Sequence, residues 1–394
     1  MNKKLISFGF ALILMVVFVA SFHGQSQQEY DHENDYEIKI TNDNKAVEIV
    51  KYKGREKEVR IPAQIKNLPV TVIGNSAFTE NRLTSVTIPN TVTVIGKRAF
   101  ARNHLTSLII PDNVTSIQSE AFAWNLLTSV TIPPDVTSIG EWAFAANRLT
   151  SVTIPLGVTA IGKAAFRENL LTDVTIPNSV TVIKEWAFDE NQLVEVVIPP
   201  GVTTIGEWAF AKNQLTSVTI PNSVTVIEKG AFAANQLASV TIPNSVTVIG
   251  KWAFRENRLA SVIISPGVTS IGEFAFARNR LASVTISDSV TAIQSGAFAA
   301  NQLTSVTIPN SVAVIGESAF YKNQLTSVII SDSVTAIGEE AFHENQLASI
   351  IIGANVELGK GSITAFIDGF DNFYRENGRE KGKYIYSNGN WITP

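Results

Sequence analysis

Leucine returns every 22 residues from Leu83 to Leu347 without a slip, thirteen times in all. Phenylalanine keeps the same step from Phe78 to Phe342, and asparagine from Asn81 to Asn345. A fixed period of this length means that each 22-mer is one coil of a solenoid. A coil of that size cannot bury enough apolar surface to offset the entropy of ordering its own backbone. Stability therefore belongs to the stack, in which neighbours share buried faces and hydrogen-bond strand to strand.

The coil from Asn147 to Phe166 shows the pattern. Leu149, Val152 and Ile154 follow L-x-x-L-x-L, with Ser151 and Thr153 alternating between them. Period two sends the apolar residues inward and the hydroxyls outward, as on a short parallel strand. Pro155 lacks the N–H that a ladder needs and ends the strand. A second alternation, Val158-Thr159-Ala160-Ile161, points Val158 and Ile161 inward, and Gly162 permits a tight bend. The three residues from there to Phe166 are enough for one helical turn. Asn147 stands where the chain turns into the strand, and its amide can satisfy backbone groups that the bend leaves unpaired. Asn147, Asn169, Asn191 and Asn213 are thus expected to form a buried structural ladder, a catalytic or glycan-bearing role being the alternative.

The consensus LxxVxIPxxVxxIGxxAFxxNxL resembles the BspA-like, treponemal-type leucine-rich repeats, over residues 83–353 and back to Ile61. The family often has Cys where this chain has Asn, and often one residue more per repeat. The resemblance implies a leucine-rich-repeat right-handed superhelix, β-rich, with short parallel strands and one-turn helical segments. It also implies a secreted or surface-exposed bacterial protein that binds other macromolecules, frequently as an adhesin.

Residues 1–24 read as a signal peptide: Lys3 and Lys4 precede an apolar run from Leu5 to Phe22, with Val19-Ala20-Ser21 as a cleavage site. The run could also span a bilayer as an uncut anchor. After cleavage no stable membrane insertion is expected. Residues 25–61 are read as a linker, loose from Gln25 to Asn34, and an N-terminal β cap. The solenoid is assigned to 62–353, and 354–394 to a C-terminal cap of one helix plus a β-hairpin. Phe366, Phe370 and Phe373 have the spacing of one helical face, and the hairpin turns at Asn388-Gly389. The family ends in a similar segment; a separate wall- or partner-binding hairpin is the other reading.

Enzyme signals are missing. With no cysteine there is no disulfide, thiolate metal site or cysteine nucleophile. His104 and His343 lie about ten coils apart, roughly 50 Å at strand spacing, and cannot share a metal. No H-E-x-x-H, G-x-S-x-G or Walker A motif occurs. No cofactor is expected. A net charge of −4, mild and mixed in sign, gives no footprint for nucleic acid. Glu339-Glu340 and Asp189-Glu190 read as solvated surface.

What the chain offers is surface. The outward columns of the first strand are led by Ser85, Ser129 and Ser151 and by Thr87, Thr131 and Thr153. Around Thr175 the uniformity breaks: Asp173 and Glu195 replace serine, and Val197 replaces threonine. These residues are either a partner epitope or simple solvated positions. Two residues before the phenylalanine stand Trp142, Trp186, Trp208 and Trp252, with Phe274 beside them. They either bind a sugar or protein, or pack along adjacent coils. The expected partner is an extracellular protein or glycan. Self-association through the Trp flank in an envelope or biofilm, and binding of ice or a crystalline glycan by the threonine array, are the rivals.

Overall fold

The protein is described here by a computed structural model covering residues 31–41, 43–359, 364–366 and 369–394. The candidate signal peptide lies outside these residues. The seven inward side chains of each coil are buried, save Val218, Val240 and Val284, which are partly so: in the example coil Leu149, Val158, Ile161, Ala165 and Phe166 are fully enclosed, and Val152 and Ile154 nearly so. The thirteen phenylalanines stack with ring centroids 5.0–5.7 Å apart. Phe366 adds a further ring at 4.8 Å. One aromatic spine thus runs the length of the repeats, offset-stacked in the way that ring quadrupoles favour.

The two strand segments of the coil differ. The second one forms the continuous ladder. From Leu68–Ile73 through Val94–Ile95 and Ala160–Ile161 to Glu357–Leu358, each pairs in parallel with the next. The leading L-x-x-V-x-I segment, from sequence the principal strand, pairs only in patches. Glu195–Val197 pairs with Ser217–Thr219, Ser261–Ile263 with Ser283–Thr285, and Ser305–Ile308 with Ser327–Ile330. Between Ile109 and Thr175 only isolated bridges join it.

The corner at Phe166 is not the expected helical turn. Ala165 N–H donates to Gly162 O and Arg167 N–H to Ala164 O, two linked turns with Ala164 and Glu168 in the left-handed region at φ 51° and 54°. Helical backbone would aim its carbonyls along the coil. Here Ala164, Phe166 and Glu168 donate instead to Glu185, Ala187 and Asp189 of the next coil, at 2.8–3.0 Å. These bonds between coils offset backbone strain of about 1–2 kcal/mol per left-handed residue. Glycine at the bend answers a close approach: a Cβ on Gly162 would lie 2.5 Å from Ile139 O.

At the N-terminal end Tyr36–Ile40 pairs antiparallel with Val47–Tyr52, which lies parallel on Leu68–Ile73. Tyr52 stacks on Phe78 and so starts the spine. Asp31 to Asn34, expected in the loose linker, are tied down: the Asp31 carboxylate accepts from Arg60 N–H at 2.8 Å. At the other end the helix is shorter than its spacing implies, Phe370–Glu376, because Gly369 at φ 74° stops it before Phe366. Gly382–Ser387 pairs antiparallel with the last leading strand, Ser349–Ile352, and with Asn390–Ile392.

Candidate functional site

The asparagine column is internal. Asn147 Oδ1 accepts from Leu127 N–H at 3.1 Å, and its Nδ2 donates to the carbonyls of Phe122, Phe144 and Ala145 at 3.0–3.3 Å. Asn169, Asn191 and Asn213 repeat the pattern, taking Leu149, Leu171 and Leu193 N–H at 3.0–3.1 Å. Each amide is buried and spans three successive stretches of backbone. Nothing of it is left for a ligand.

On the leading strand Asp173, Thr175, Glu195 and Val197 all face solvent. Val197 is 63% exposed and Val194, one strand position before Glu195, 46%. Two carboxylates therefore border an exposed valine pair on adjacent coils. The patch has company that the sequence reading passed over. Ile109, Ile263, Ile329 and Ile351 occupy the threonine column too, the first two 82% and 70% exposed. Reading every substitution in that column, rather than its midsection, would have found them.

The indoles of Trp142, Trp186, Trp208 and Trp252 are half-buried, each at a left-handed residue. Trp142 stacks with Trp124 at 6.3 Å. Trp208 lies over Gly230, where a Cβ would come within 2.3 Å of the ring, and reaches Trp252 at 5.7 Å. Cations stand over the rings: Lys163 over Trp186 at 4.7 Å, Lys251 over Trp252 at 4.8 Å, and Arg167 over both Trp142 and Trp186 at 5.6 and 6.0 Å. Such contacts occupy ring faces that a ligand would need.

Asp189 corrects the expectation of a solvated pair. It is 4% exposed, in a column where most coils carry alanine. Arg167 fills the same position one coil earlier and pairs with it at 3.0 Å, while Glu190 takes Arg167 at 3.2 Å and Lys212 at 2.6 Å. Burial, only partly opposed by Arg167, pushes the Asp189 carboxyl up to about 6. Two adjacent charges of opposite sign in an alanine column were the available signal.

Two hollows also escaped the sequence reading. One, of about 730 Å³, lies beside the ladder, where Lys184 and Glu228 replace the usual bend glycine on either side of Gly206. The other, of about 540 Å³, lies on the Trp flank between Trp252 and Tyr321. Among the described residues no His, Asp or Glu cluster could hold a metal, and no helix is long and apolar enough to cross a membrane.

A hydrogen-bonded interior whose leucine, phenylalanine and asparagine columns repeat from coil to coil, under a surface that varies by column, defines a leucine-rich-repeat scaffold protein. The BspA type leucine rich repeat region, in six copies, matches residues 57–170, 159–280 and 249–365, and the chain belongs to that family. A leucine rich cell surface protein from Faecalibacterium prausnitzii is 26% identical over 91% of this chain and 99% of its own, with a TM-score of 0.52. A leucine-rich repeat protein from Bacteroides ovatus, 22% identical over 82% of this chain and 89% of its own, has a TM-score of 0.60. The pneumococcal vaccine antigen PcpA, 18% identical over 84% and 87%, has a TM-score of 0.56. The last two share the fold. No curated protein matches the sequence.

Proposed function

We propose that the chain is an exported, non-enzymatic surface protein that captures another macromolecule, an extracellular protein in the first instance, in the manner of an adhesin. The observation that carries the reading is the patch at Asp173, Glu195, Val194 and Val197. It is exposed, chemically distinct from the serine and threonine around it, and held on a backbone whose apolar spine and asparagine ladder repeat from coil to coil. A rigid ladder presenting many weak contacts at fixed spacing gains affinity from their sum. Exposed valines beside carboxylates suit a partner with an apolar contact ringed by basic groups. The N-terminal signal and the cell-surface description of the Faecalibacterium relative support export.

The test is capture from a panel of extracellular proteins. A variant carrying Asp173→Ser, Glu195→Ser and Val197→Thr restores the residues of neighbouring coils and is expected to fold normally and lose capture. Unchanged capture by that variant would remove the patch as the site.

A further inference from the structure

We propose that the hollow between Trp252 and Tyr321 is a separate binding site for an acidic saccharide. Its shape comes from exceptions in three columns. Phe274 lies flat over Gly296, where a Cβ would come within 2.2 Å of the ring, and Ala277, Ala299 and Ala300 keep the floor low. Trp252 with Arg255 closes one end and Tyr321 with Lys322 the other. The ends are three coil steps of 5.4–5.6 Å apart, a span that takes about two or three sugar rings.

The chemistry of the lining is one-sided. It holds Arg255, Arg278 and Lys322 and no carboxylate. Both guanidiniums share Glu256, each at 3.1 Å, so one carboxylate answers two cations. Lys322 has no ion pair among the described residues. Trp252 Nε1 and Arg255 Nε are shielded from solvent and have no hydrogen-bond partner, an unusual condition for buried donors. The floor carbonyls are already engaged. Ala277, Ala299 and Tyr321 accept from Glu256, Arg278 and Ala300 N–H at 2.8–3.0 Å in the ladder between coils. A lining whose free groups are mainly donors, with Phe274 and Tyr321 rather than the cation-covered Trp252 as the aromatic surface and with the Tyr321 O–H already given to Glu344, favours a carboxylated or sulfated sugar, whose ring face packs on an aromatic and whose acid group accepts. An acidic peptide fits less well, because the floor carbonyls that its own N–H groups would need are already engaged.

One substitution separates this site from the fold. Ala300 has φ 54°, and Glu stands in the same column at Glu168, Glu190 and Glu256 with φ 54–58°. Glu190 pairs there with Lys212 of the next coil at 2.6 Å. Ala300→Glu would accordingly fill the floor and neutralise Lys322 without disturbing the backbone. The probes are tetrasaccharides of polygalacturonate (carboxylate) and heparin (sulfate), with neutral cellotetraose and tetra-aspartate as comparators, titrated calorimetrically into the full chain. At least one acidic sugar is expected to bind ten times or more tighter than both comparators. Ala300→Glu should weaken it at least tenfold at an unchanged melting temperature, as should Lys322→Glu. Equal binding of cellotetraose, preference for tetra-aspartate, or acid binding untouched by Ala300→Glu would each overturn the proposal. Protein capture at the leading-strand patch should not respond to Ala300→Glu, so failure of one site leaves the other standing.

Discussion

The two sides of each coil follow different rules. On the inside and along the Val-Ile ladder, every coil repeats the last: Phe on Phe at about 5.5 Å, Asn to three backbones, strand to strand without a break. On the leading strand, pairing comes and goes, and the outward columns hold Ser, Thr, Asp, Glu, Val and Ile. A position that must fit two neighbours at once is constrained from both sides. One that faces water is free to differ. Rigidity in this molecule is therefore supplied by one side and identity by the other, so the two should respond oppositely to substitution.

The sharpest contrast is at the spine. Phe210 is fully enclosed and stacked on Phe188 and Phe232. Phe210→Ala should cost about 3–5 kcal/mol and open a cavity shared by three coils. Urea denaturation would show the midpoint fall, and hydrogen exchange would place the loss around the coils of Phe188 to Phe232. A cost under about 1 kcal/mol would mean that the stack is not what holds these coils.

Asp189 is where surface-like chemistry has entered an interior column. Its folded-state carboxyl, raised to about 6 from 3.8, holds its proton at a pH where the unfolded chain has released it. Its contribution therefore favours the folded state below about pH 4 and is lost as pH rises through 6, by up to about 3 kcal/mol. Glu190 moves the other way, its carboxyl held down chiefly by the hydrogen bond from Lys212. A comparison with Asp189→Ala isolates the first effect. Relative to that variant, the parent should gain urea resistance as pH falls from 7 toward 4.5, and a difference flat in pH would contradict the burial.

Asn213→Ala removes one acceptor and three donor contacts, leaving Leu193 N–H buried without a partner. The expected cost is about 1–3 kcal/mol, read as a lower melting temperature. An unchanged melting temperature would argue that the backbone closes its own bonds.

How far the sequence could be read follows the same division. Seven inward residues per coil, the asparagines and the phenylalanine column were legible because each recurs at one spacing with one chemistry. The balance between the two strands was not. Val152-Thr153-Ile154 and Val158 to Ile161 alternate equally well, and only the register between coils decides which one pairs throughout. The left-handed corners were also hidden, since Trp142, Ala164 and Glu168 have no local preference for φ above zero and adopt it to reach the next coil. Arg167 with Asp189, and the hollow at Gly296, are departures from consensus. They can be found only by comparing each coil with its neighbours.

The smallest effect on stability is expected where the largest effect on binding is proposed. Glu195 and Val197 sit on a strand that pairs with Ser217 and Thr219, but their side chains touch water. Changing them to Ser and Thr should move stability by less than about 0.5 kcal/mol, since no buried group or ladder bond is lost. Thermal melting of this double variant beside Phe210→Ala sets the two sides of the coil on one scale. If the surface pair cost as much as the spine, those outward side chains would be part of what holds the stack, and variation on that face could no longer be read as freedom to choose a partner.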